Sequence, residues 1–78
     1  MSKSPLRNIP LKTFREYLKW EGLTYVRTNG GHEIWGKREL NRPVVFQKHK
    51  DPIPEEIVRK ILKTIGSTAN DYIEFLKS

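Results

Sequence analysis

Leu11, Phe14, Tyr17 and Leu18 recur at helical spacing, with Lys12, Arg15, Glu16 and Lys19 on the wet side between them. Pro10 suits a first helical turn and Gly22 a C-terminal cap, so the pattern predicts a helix over 11–21. Leu23 to Thr28 is β-branched and aromatic and predicts a first strand. Gly31 to Lys37 predicts a second, and Val44 to Lys48, opened by Pro43, a third. Pro54 with Glu55 and Glu56 marks a helix start with acids at the positive end of the dipole. Ile57, Val58, Ile61, Leu62 and Ile65 give that helix a broad apolar stripe ending at Gly66. A last helix begins at Ser67 or Thr68, where Thr68 with Asp71 resembles a capping box, and Tyr72, Ile73, Phe75 and Leu76 form its apolar face. Residues 1–9 are polar, basic and interrupted by Pro5, which predicts a flexible N-terminal segment ahead of a single domain over 10–78.

The order α-β-β-β-α-α predicts an α+β fold. Three strands joined by short connections make an antiparallel meander, helices one and two cover one of its faces, and a short C-terminal helix follows. The other face is left to water or a partner, and Val26, Trp35 and Val45 are expected on it. Asn29-Gly30 between two β-prone runs is a strong hairpin signal and puts His32 at the turn end of a strand. Two registers are open. With Asn29-Gly30 as a two-residue turn, Arg27 lies opposite His32. With Gly31 drawn in as a bulge, Thr28 faces His32 and Arg27 faces Glu33.

Composition narrows the function classes. There is no cysteine, which removes disulfides and thiolate metal sites. No apolar run approaches the ~20 residues of a membrane span, and Met1 to Pro5 lack the apolar core of a signal peptide. A cytoplasmic protein with no membrane association is expected. The net charge of +6 is uneven: residues 1–50 hold eleven Lys/Arg against four Glu, and residues 51–78 four against five Asp/Glu. Such a field attracts polyanions, nucleic acid above all.

In that field His32 is the residue suited to chemistry. An imidazole moves a proton in either direction near neutral pH, and RNA carries its own nucleophile in the 2′-hydroxyl. Cleavage then needs little more than deprotonation of that hydroxyl, a proton for the leaving oxygen, and cations around the phosphate. Arg27, Lys37, Arg38, Arg42, Lys48 and Lys50 lie on or beside the sheet and can supply that charge. The plain alternative is an inert surface histidine. His49 can act as the complementary acid, as a phosphate contact, or as an ordinary loop residue. Two histidines without clustered acids make a poor metal site, so no metal and no cofactor are expected. Glu55 and Glu56 are better read as helix-start acids than as catalytic carboxylates. Trp20, Tyr25 and Trp35 are either base-stacking platforms or, the more usual role in so small a domain, core or partner interface.

The run from Leu23 through Asn29-Gly30-Gly31-His32 to Ile34-Trp35 resembles the hairpin of the HicA (YcfA-like) toxins. There, a Gly-Ser-His element and two apolar residues follow an amphipathic helix that ends in glycine. The likeness continues through Val44-Val45-Phe46, His49 and the helix from Ile57 to Lys63, covering roughly residues 9 to 76 in order and spacing. Gly31 stands where that family usually has serine. The resemblance implies a fold like the double-stranded-RNA-binding domain (dsRBD-like) and a toxin-type endoribonuclease that cuts messenger RNA without a metal. It carries the essential histidine onto His32 and implies a HicB-type antitoxin partner. A non-catalytic RNA-binding module on the same fold is the alternative.

Overall fold

The structure, a computed structural model, describes residues 4–78. It contains α1 (Leu11–Trp20), β1 (Thr24–Asn29), β2 (His32–Gly36), β3 (Val44–Gln47), α2 (Glu55–Ile65) and α3 (Ala69–Lys77). The strands form one antiparallel sheet in the order β1-β2-β3, so β2 is central and hydrogen-bonded on both sides. This is the α+β architecture expected from the sequence, with two helices after the sheet.

Leu11, Phe14, Tyr17 and Leu18 form the buried stripe of α1. Phe14 meets Phe46 of β3 edge-on at 5.5 Å between ring centroids. Val58, Ile61 and Leu62 bring α2 into the same core. The third helix packs on α1, where Tyr17 meets Tyr72 at 5.2 Å and Phe75 at 5.4 Å. Gly22, at φ 94°, lets the chain leave α1 while Leu23 N–H bonds back to the Leu18 carbonyl, a closing bond that a left-handed residue makes possible. The expected Thr68–Asp71 pairing is present: the Asp71 carboxylate accepts from the Thr68 backbone N–H at 2.8 Å.

Two expectations are corrected by the packing. Residues 1–3 of the expected flexible segment lie outside the described residues, but Ser4–Ile9 belongs to the body of the fold. Leu6 and Ile9 are 1% and 2% exposed, and the Ile9 carbonyl accepts from Ile53 N–H at 2.9 Å. Ser4, Pro5, Arg7 and Asn8 give that segment a polar, interrupted look, yet its two apolar side chains bury enough area to hold it down. Next to this bridge Asp51 Oδ1 accepts from Leu11 N–H at 3.1 Å, capping α1 from 40 residues away, because Pro10 has no side chain that can do so. Asp51→Ala should therefore cost about 1 kcal/mol. In a domain of this size that lowers the thermal midpoint by roughly 4–8 °C, readable by circular dichroism.

The second correction concerns the faces of the sheet. Glu33, Trp35, Val44 and Phe46 are buried against the helices, while His32, Val45 and Gln47 are exposed. Trp35, 2% exposed, is thus core and not part of the open face, whereas Val26 and Val45 do lie open at 51% and 44%. Trp35 is held inward by edge-on contact with Tyr25 and by a hydrogen bond to Glu33. Among the described residues no helix is long and apolar enough to cross a membrane.

Candidate active site

Both registers drawn from the sequence give way to a third. Asn29 pairs with His32, Thr28 with Glu33 and Arg27 with Ile34, so the two turn residues are Gly30 and Gly31. The irregularity sits between Tyr25 and Arg27, at Val26, and not at Gly31. Gly30 takes φ 62° and Gly31 does not take a positive value, as a type II′ hairpin turn requires of its first and second central residues. The neighbour of His32 across the hairpin is therefore Asn29, neither Arg27 nor Thr28. On its other side His32 pairs with Gln47.

This register fixes the imidazole at the end of the central strand, exposed, on the face away from the helices. There it borders a cavity of about 360 Å³ between the open face of β3 and the start of α2. Val45, Ile53, Pro54 and Ile57 supply apolar walls, and His32, Gln47, Lys50 and Glu56 the polar rim. Such a mix of apolar lining with a few convergent polar groups is what small-molecule and base sites share.

His49 comes to the same end of the sheet. A Cβ placed on Gly31 would touch its ring at 3.4 Å, so the glycine leaves the imidazole room beside the hairpin turn. Lys48 N–H bonds the Gly31 carbonyl at 2.9 Å, which anchors the start of that loop to the turn.

The remaining cations are dispersed. Arg27 projects from the open face beside Ile34, two positions along β2 from His32. Lys48 lines a groove on the opposite, helix-bearing side with Lys12, Arg15 and Lys19. Lys37, Arg38 and Arg42 follow the far end of β2, four residues or about 14 Å from His32 at the usual strand rise. Lys37 there donates to the Glu21 carbonyl at 3.3 Å, and Arg42 shares a shallow groove with Lys60 and Lys63. Of the residues expected to bind RNA, the structure gathers His49 and Lys50 near His32, with Arg27 on the same face. It does not bring the others to that point.

Sequence reasoning missed the device that holds β2 in register. Glu33 is 7% exposed and faces the helices, one residue from His32. Arg15 of α1 grips its carboxylate through Nε and Nη2, and Trp35 Nε1 donates to Oε1 at 3.0 Å. The Arg15 hydrogen bonds hold the Glu33 carboxyl below its ordinary range against the opposing effect of burial, with help from Trp35. No local signal marks this pair, because its members stand 18 residues apart. The other omission is Glu56, taken from the sequence as a helix-start acid alone, which also lines the cavity beside His32.

Among the described residues, no three His, Cys, Asp or Glu side chains gather as metal ligands would. One imidazole, one lysine and one carboxylate line the open cavity, and a second imidazole, His49, stands beside the neighbouring hairpin turn, a set that can move protons and neutralise a phosphate. No family model matches the sequence, and no curated protein or solved structure matches the chain.

Proposed function

We propose that the chain is an endoribonuclease of the HicA toxin type, cutting messenger RNA in the cytoplasm without a metal and restrained by a HicB-type antitoxin. The observation that carries this reading is the position of His32: exposed at the end of a doubly hydrogen-bonded strand, beside a cavity with Lys50, and at the same end of the sheet as His49. The dsRBD-like order of elements and the sequence resemblance point the same way.

The mechanism follows from these groups. Neutral His32 takes the proton of a ribose 2′-hydroxyl, whose oxygen attacks the adjacent phosphorus. The P–O5′ bond breaks, and the leaving oxygen takes a proton from His49 or from water. One product then ends in a 2′,3′-cyclic phosphate and the other begins with a 5′-hydroxyl. No water molecule has to be activated. Lys50 neutralises charge on the phosphate as it grows in the transition state. An antitoxin lying on the open face would cover both His32 and the exposed Val26 and Val45.

Cleavage of a single-stranded RNA should persist in excess chelator and leave cyclic-phosphate ends, which mass spectrometry of the fragments identifies. Loss of cleavage in chelator would return the site to metal chemistry. Salt-sensitive binding without any cutting would support the non-catalytic module instead.

A further inference from the structure

Two acids open α2, and the structure treats them differently. Glu55 is bound by Arg59 at 2.7 Å and lies 3.7 Å from Arg7, so its carboxylate is occupied. Glu56 makes no hydrogen bond or ion pair among the described residues and lines the cavity beside His32. A carboxylate presents acceptors only. In a basic domain, an unengaged carboxylate beside a candidate phosphate-handling histidine has no evident use in holding a polyanion. It has one in reading a base.

We propose that this cavity seats one unstacked guanine of single-stranded RNA, with Glu56 accepting hydrogen bonds from the guanine N1–H and N2 amino group. The inference rests on RNA being the ligand of the His32 site and adds what that site selects. Guanine alone among the four bases presents two adjacent donors on its pairing edge. Adenine and cytosine each set one amino donor beside an acceptor, and uracil has a single N–H between two carbonyls. A two-oxygen acceptor therefore fits guanine and leaves an acceptor facing an acceptor for the others. Val45 and Ile57 offer apolar surface of the kind that a base displaced from its stack requires. Lys50 at the rim meets the negative backbone. A cavity of about 360 Å³ holds one base and its sugar and is too small for a duplex.

The test uses short uridine-rich RNAs containing one guanine, adenine, cytosine or inosine, with 2′-fluoro sugars so that nothing is cut. Fluorescence anisotropy at physiological salt reads their affinity for the wild-type chain and for Glu56→Gln. Guanine should bind roughly tenfold more tightly than adenine or cytosine, the lower part of what a bidentate base contact contributes, since Glu56 is exposed. Inosine, which lacks the amino group, should fall between, and Glu56→Gln should remove the preference without changing the circular dichroism spectrum. Equal binding of all four RNAs, or a preference that survives Glu56→Gln, overturns the proposal. Cleavage of the unmodified RNAs keeps the two claims apart. A guanine preference without cutting overturns only the ribonuclease reading, and cutting without a guanine preference overturns only the guanine pocket. Failure to bind any of the RNAs overturns both.

Discussion

His32→Ala is expected to lower RNA cleavage by a factor on the order of 10²–10⁴, the usual worth of a positioned general acid or base. The fold should be left intact, because the imidazole is exposed and changes at such sites usually shift stability by no more than ~0.5 kcal/mol. Rates on a defined RNA together with unfolding midpoints separate these two effects. In cells without an inhibitory partner, the wild-type chain should arrest growth and the variant should not. Equal growth behaviour of the two, or an unchanged cleavage rate, would take His32 out of the mechanism. A fall in rate matched by a collapse of the unfolding midpoint would mean that the histidine supports the hairpin and not the reaction.

The second large effect is on stability. Arg15→Ala leaves the Glu33 carboxylate buried with only Trp35 to donate to it. Breaking a buried ion pair from one side typically costs 3–5 kcal/mol. Arg15 is itself 36% exposed at its side chain, which places the expected loss at the low end of that range, about 3 kcal/mol. Denaturant titration measures it. Glu33→Gln is expected to cost less, since a neutral amide keeps the shape and can still accept from Trp35. A double-mutant cycle between the two positions isolates the coupling. The pH dependence carries the same signature. Arg15 lowers the Glu33 value in the folded state, so this contribution is complete above the ordinary glutamate range of about 4.3 and lost as pH falls through the folded value. The wild-type chain should thus lose stability on acidification more steeply than Glu33→Gln.

The same pair explains why part of the site escaped the sequence. Helical periodicity for the helices, and β-branched and aromatic runs bounded by turn residues for the strands, located all six elements to within a residue or so, because each rests on neighbours in the chain. Face assignment does not. In His32-Glu33-Ile34-Trp35 the sequence alternates nothing clearly, and a glutamate in a strand normally reads as outward. Glu33 can face inward because the distant Arg15 and the indole of Trp35 satisfy its carboxylate there. The register failed for a related reason. Asn-Gly favours a turn with positive φ at both central positions, but Gly31 offers a second glycine, and Gly30-Gly31 can adopt type II′ with Asn29 left in the ladder. His32 itself was legible, since any of the three registers keeps it at the hairpin end. The cavity was not, because its second wall comes from Ile53, Pro54, Glu56 and Ile57, brought over by the bridge between Ile9 and Ile53.

That bridge has a bearing on how the protein is made. The hairpin that carries His32 needs only nearby residues and can form early, whereas pairing Ile9 with Ile53 closes a loop of more than forty residues and brings α2 to the sheet. A chain emerging from the ribosome therefore presents its histidine before the cavity beside it exists. Until residue 57 has cleared the exit tunnel the second wall does not exist, so under the proposed ribonuclease reading the nascent protein has no place to seat RNA.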